Sequence, residues 1–237
     1  MAAGIGVRRA QRLALRFPDT YADPAQKGGL QMHSYKNPAT LTKVTVVALS
    51  IYMAVEAVLA LISIYVYRSI ETGLDLATVG VLGTVAIVNI VAMIACFILV
   101  GCWIYRASAN AHTLSDEMTI SPGWAVGWYF VPFANLVKPY QAMREIWMAS
   151  HFRGNWHGEP TPGLLIGWWT LWIVTNILAN LSLRFGMMDE QGQMLGLTTT
   201  LDVAASLLSI PLCVILISII RQVARVQAYA PLDETFS

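Results

Sequence analysis

Four long apolar runs, at residues 44–67, 76–105, 164–183 and 201–220, constrain this chain more than any other feature. A helix of about 20 residues crosses the ~30 Å hydrocarbon core of a bilayer, and each run reaches that length. Inside lipid every backbone N–H and C=O must find a partner within the protein, so runs of this kind fold as helices. Composition agrees. Hydrophobic residues make up 56% of the 237 and charged residues 12%, with a mean hydropathy of +0.57. Soluble domains carry about 25% charged residues. The expected fold is an all-α integral membrane protein, and its size suits one bundle. The net charge of +1 gives no reason to expect a nucleic-acid partner.

The segment 120–152 breaks the pattern. Its apolar core, residues 123–137, would be about 22 Å long as a helix, too short to cross unaided. Pro132 interrupts it and removes a backbone donor. Lys138, Arg144 and Glu145 follow, and residues 139–152 read as an amphipathic surface helix. The segment is therefore expected to be a broken re-entrant or interfacial helical hairpin. Basic residues set the side. With four spans, one side holds thirteen Lys and Arg: seven before residue 44, then Arg106, Lys138, Arg144, Arg153, Arg221 and Arg225. Arg68 and Arg184 are the two on the other side. A fifth crossing by 123–137 would change the split to nine and six. Cytoplasmic loops carry the excess of basic residues, so the expected arrangement has four spans, both termini in the cytoplasm and the hairpin on the inner face.

Outside the membrane domain, 44–225, the chain has a basic cytoplasmic tail, 1–43, and a short cytoplasmic tail, 226–237. In the first, residues 7–17 place Arg8, Arg12 and Arg16 on one helical face and Leu13 and Phe17 on another. That pattern fits a helix on an anionic membrane surface, a targeting segment or a solvated tail. No apolar stretch follows the arginines as in a secretory signal, and Met32 is a second candidate start. Cys96, Cys102 and Cys213 lie in apolar runs and read as small buried hydrophobes. The four histidines, His33, His112, His151 and His157, lie outside the spans and form no metal-ligand pattern, so neither a metal nor a cofactor is expected; bound lipid is compatible.

The polar residues of the membrane domain are the candidates for function. Glu56 lies mid-span, where an unpaired carboxylate costs several kcal/mol. It is either a proton or cation site or a protonated group bonded to Asn89. Asn176 and Asn180, four apart, suit the same interhelical bonding. Trp103, Arg106 and Asn110 share one helical face at spacings of three and four. Arg106, at the expected boundary, is either an anchor or an anion clamp facing a pocket. Trp124, Trp128 and Pro132 recur every four residues, and Gly123 and Gly127 would let a second helix approach. The break at Pro132 is expected to be buried against the bundle, because irregular backbone at membrane depth is tolerated only beside protein or a cavity.

The string from Trp103 through Arg106 to Asn110, the stretch from Ser121 through Trp124, Trp128, Pro132 and Asn135 to Pro139, and the group Arg144, Glu145 and Trp147 resemble a bacterial membrane family catalogued as domain of unknown function 4328. The resemblance covers about residues 40–225. It implies a multi-pass protein of the bacterial inner membrane and no activity, and it marks these motif positions as the candidate pocket or interface. No phosphate loop, zinc-protease, nucleophile-elbow or Cys-x-x-Cys motif is present, which weighs against an enzyme. The leading expectation is an accessory or scaffolding subunit that packs against another membrane protein or its own copies. The alternative is a small transporter or ligand-binding protein using Glu56 and a pocket at Arg106 and Asn110. Reporters fused at either end should be active only on the cytoplasmic face. A carboxy-terminal reporter active outside would overturn the even number of crossings.

Overall fold

The computed structural model describes residues 34–69, 76–152, 156, 158–189 and 191–233. The amphipathic stretch 7–17 lies outside the described residues. Among the described residues the structure is all helical. The long helices are α1 (Ala39–Ser69), α2 (Leu76–Leu114), α5 (Gly163–Met188) and α6 (Leu195–Asp233). Between α2 and α5 lie α3 (Pro122–Gly127), two 3-10 turns (Trp128–Phe130 and Ala134–Leu136) and α4 (Lys138–Phe152). All four long helices have the length and composition to cross a membrane. The protein is a multi-pass membrane protein built on these four.

The long helices form an arc. α6 packs against both α5 and α1, and α1 packs against α2, while α2 and α5 do not pack on each other. Contacts mark the two ends of the bundle. At one end the Cβ position of Gly196, at the start of α6, lies 2.9 Å from the Tyr67 hydroxyl near the end of α1. A larger residue there would make the half-exposed Tyr67 side chain shift. At the other end the chain before α1, the end of α2, α4 and the end of α6 converge.

That second end holds the densest core. Trp103, Ile104 and Ala107 of α2, Met143, Ile146 and Met148 of α4, and Ile219, Ile220 and Val223 of α6 are all nearly inaccessible. The membrane-length stretches are packed far more loosely: 6% of the most apolar window of α2 is buried, and 39% of that of α6. The contrast has a physical cause. Lipid tails are as apolar as leucine, so helices gain little by hiding apolar faces from them. Apolar surface facing water gains about 25 cal/mol per Å² on burial. α2 and α6 each have 39 residues, about 58 Å of helix, far more than the bilayer needs. Their excess length forms this compact end.

The polar groups inside it are paired. The Asn110 amide donates to the Lys36 carbonyl at 2.9 Å and to Gln227 Oε1 at 3.3 Å, and its Oδ1 accepts from the Lys36 backbone N–H at 3.2 Å. The Gln227 amide donates to the Ala107 carbonyl and the Ser150 hydroxyl oxygen, both at 2.9 Å. The Ser150 hydroxyl in turn donates to the Ile146 carbonyl at 2.7 Å. Asn110, Ser150 and Gln227 are completely buried.

Several sequence expectations differ from this arrangement. α6 continues through Gln227 to Asp233, where a short tail was expected from residue 226. Residues 139–152 do not lie on a surface: Ala142, Met143, Glu145 to Ser150 are buried between α2 and α6. Trp168 and Trp169, at the start of α5, are buried, and the Trp169 indole donates to the Leu136 carbonyl at 3.0 Å. Gly123 has nothing near its Cβ position and Gly127 meets only Trp124, so no helix among the described residues packs on this pair; Gly101 of α2 lies against Val126 instead. The break is exposed, not buried: Pro132 faces outward, and Phe133, at φ 62°, is 87% exposed. Much of the exposed backbone is satisfied within the break itself. Ala134, Asn135, Leu136 and Val137 donate to the carbonyls of Pro132, Val131, Phe133 and Ala134.

Replacing Gln227 by Leu leaves the Asn110 amide, the Ala107 carbonyl and the Ser150 hydroxyl each short of a partner. Each keeps another bond, so each loss costs about 0.5–1.5 kcal/mol, the net contribution of a typical hydrogen bond. The variant should unfold at a clearly lower temperature in mild detergent. Combining it with Asn110→Leu should cost less than the two single effects together. Strict additivity would mean the amides are not coupled.

Candidate functional site

Because α2 and α5 stand apart, a cleft of about 810 Å³ remains between them. Leu49 and Tyr52 of α1 and Leu212, Cys213 and Leu216 of α6 form its back. Met93, Cys96, Phe97 and Cys102 of α2 face Trp168, Trp172 and Ala179 of α5 across it. One end is closed by the broken segment, through Val126, Tyr129 and Phe130. Aromatic edges hold that closure in place: the Tyr129 ring centroid lies 6.4 Å from Phe97 and 6.1 Å from Trp172, both nearly perpendicular. Trp172 stacks on Trp169 at 4.6 Å, which ties the closure to the buried start of α5. Cys102, expected to be buried, is exposed here, whereas Cys96 and Cys213 are buried.

Arg106 is the charged residue in the cleft wall. It is half-buried, and its guanidinium makes no hydrogen bond or ion pair with any described residue. Three further polar residues line the cleft deeper in, and each donates within its own helix. Thr175 Oγ1 donates to the Leu171 carbonyl at 2.5 Å, Asn176 Nδ2 to the Trp172 carbonyl at 2.8 Å, and Ser209 Oγ to the Ser206 carbonyl at 2.7 Å.

The other candidates are distributed elsewhere. Asn110 belongs to the buried network and does not line the cleft. The Trp103 indole donates to Thr42 Oγ1 at 3.1 Å and fixes α1 to α2. Trp124 and Trp128 lie ring to ring at 4.5 Å, with the Lys138 ammonium 5.9 Å from the Trp128 ring; Pro132 is beyond the end of their helix and does not continue their face. The Asn135 backbone N–H closes the break on Val131. Arg144 Nε donates to Thr161 Oγ1 at 2.8 Å, and its guanidinium lies 5.7 Å from the Trp156 ring, which holds the chain ahead of α5. The Glu145 carboxylate accepts from the backbone N–H groups of Thr119 and Ile120 at 2.9 and 3.0 Å, and from the Thr119 hydroxyl, which fixes the approach to α3. Trp147 is buried and stacks on His151 at 4.2 Å.

Glu56 is 7% exposed and accepts from Asn89 Nδ2 at 3.0 Å. It does not line the cleft, although Tyr52, Cys96 and Cys213, grouped beside it, do. Asn176 and Asn180 bridge no helices. Both are exposed, and Asn180 Nδ2 donates to the Asn176 carbonyl at 2.8 Å. Among the described residues no group of His, Cys, Asp and Glu is placed to hold a metal.

Gln227 and Ser150 were not among the sequence candidates. A signal existed: Leu216, Ile220, Val223 and Gln227 recur at spacings of four, three and four, which continues the inward face of α6 past its basic residues. The cleft itself had no sequence signal, because it is defined by two helices that fail to meet.

Neither a curated protein nor a solved structure matches the chain. A family model does match, over residues 72–225, from just before α2 into α6; α1 lies outside the matched stretch, so the match begins later than the expected residue 40. It includes Arg106, the broken segment and the α5 and α6 walls of the cleft. With more than half of its length matched, the chain belongs to the family described as Domain of unknown function (DUF4328).

Proposed function

We propose that this is a protein of the bacterial cytoplasmic membrane that binds an apolar or amphiphilic molecule in the cleft between α2 and α5, without catalysing its conversion. The observation that carries the reading is the cleft's volume. At about 810 Å³ it falls within the range of small-ligand sites, roughly 300–1,000 Å³. A partner helix 10–12 Å across and one leaflet long would need roughly 1,400 Å³. The space suits a flexible small molecule better than a helix. Its walls are overwhelmingly apolar, as expected for a ligand that arrives through lipid.

Orientation follows from charge and packing together. The compact end carries Arg106, Lys138, Arg144, Arg221 and Arg225, and its dense core needs water around it, so this end faces the cytoplasm. The break then lies at the inner leaflet. Phe130 and Phe133, 71% and 87% exposed, together with Leu136 and Val137, give it an apolar tip suited to lipid. On this reading the broken segment enters the leaflet from the cytoplasm and returns. Glu56 stays outside the cleft, which favours simple binding over carboxylate-coupled transport.

A specific observation also favours the accessory-subunit reading. The outer half of α2 is exposed on nearly every side, with Ile87, Val91, Ile94 and Ile98 all at least half exposed, and the Asn180 amide on α5 is exposed within a span. A neighbouring membrane protein or a second copy would cover both.

Native mass spectrometry of gently solubilised protein separates the readings. The binding reading expects one amphiphile retained per chain after loosely held lipid is stripped, and its loss in Ala179→Phe, which fills the cleft from α5. A bare parent mass under the same conditions defeats it. Recovery of a lone monomer without a second polypeptide counts against the accessory reading.

A further inference from the structure

Arg106 distinguishes the cleft from a plain apolar groove. Of the basic residues at the compact end, Arg144 is engaged with Thr161 and Trp156, and Lys138 with Trp128. Arg106 lines the cleft with no partner among the described residues. A half-buried guanidinium beside apolar walls has lost part of its hydration, and its planar fork matches phosphate oxygens two at a time.

Length adds a second constraint. Arg106 and Met93 both line the cleft, and the thirteen helical steps from one to the other measure about 20 Å along α2. One leaflet contributes about 15 Å of hydrocarbon, with the headgroup layer outside it. The cleft is therefore one leaflet deep, with its charge at one end. At the deep end the Thr175 and Ser209 hydroxyls donate to their own helices, Asn176 gives an amide hydrogen the same way, and no charged residue lines the wall. A molecule matching this profile has an anion at one end and a long apolar tail.

Building on the binding reading above, we infer that the cleft holds an anionic phospholipid of the inner leaflet. One acyl chain lies between α2 and α5, and the phosphate sits on the Arg106 guanidinium. Aromatic surface from Tyr129 and Trp172 flanks the chain. Because the headgroup is read through one cation, selectivity is for charge and not for headgroup shape.

Purified protein in neutral detergent is titrated with phosphatidylglycerol or phosphatidylcholine carrying brominated acyl chains, and quenching of tryptophan fluorescence is followed. Trp168 and Trp172 line the cleft and report on the chain. Saturable quenching is expected from both lipids, about five-fold tighter for the anionic one, since a basic residue at an anionic lipid contributes on the order of 1 kcal/mol. The preference should vanish in Arg106→Gln, persist in Arg106→Lys and weaken at high salt. Trp172→Phe should lose part of the saturable signal. Equal affinity for both lipids, or a preference that Arg106→Gln leaves intact, overturns the headgroup assignment while leaving the cleft as a binding site. Tighter binding of a brominated fatty acid than of phosphatidylglycerol overturns it in favour of a single-chain ligand. No saturable quenching from any of these probes, with the parent folded, overturns the cleft reading as well.

Discussion

The amides of Asn110 and Gln227 meet where four segments of the chain converge, and the architecture depends on that meeting. Lys36 precedes α1, Asn110 and Ala107 belong to α2, Ser150 to α4 and Gln227 to α6. A buried amide left unpaired costs more than a paired one gains, so the network is selective as well as stabilising. A change of register in α2 or α6 would strand several donors and acceptors at once. Apolar packing around it, from Trp103, Met143, Ile146, Ile220 and Val223, supplies the larger share of the free energy but tolerates sliding. The amides fix which positions meet.

Fixing one end of the bundle changes what the other part must do. Within lipid, helices have little reason to close on one another, and here α1 and α6 pack while α2 and α5 do not. Held at their compact ends by α4 and the network, the outer helices remain apart over the membrane, and the gap between them is the cleft. The Tyr129 ring, edge-on to Phe97 of α2 and to Trp172 of α5, bridges that gap at one level. The site is thus a consequence of uneven packing, dense where water drives it and sparse where lipid does not.

How legible this was in the sequence depended on the kind of signal. The four spans were readable because lipid imposes length and polarity on each run separately, without reference to any neighbour. Their ends were not, since α2 continues nine residues past 105 and α6 past 226 in sequence too polar to register as span. Residues 139–152 carry an amphipathic pattern whether they face lipid or protein, so the pattern could not foresee that α4 would be enclosed. Tryptophan suits a membrane boundary and a protein core alike, and Trp169 turns inward to Leu136 and Tyr140. Glu145 and Arg144 stood out as charges and proved to be fasteners for flanking chain, as polar side chains near irregular backbone often are.

Arg106 and Asn110 show why spacing alone cannot assign a role. One turn apart, they share a face of α2, and a pattern argument treats them as a pair. Four residues raise the chain by only about 6 Å, yet that distance crosses the edge of the compact end. Below it Asn110 is enclosed by Lys36 and Gln227, with its amide bonded on both sides. Above it Arg106 meets the open space between α2 and α5. A neutral amide can be enclosed once its bonds are made within the protein, and enclosing a lone guanidinium would cost far more. The order of the two residues along α2 matches the order of the two environments. The charge is kept where the helices part.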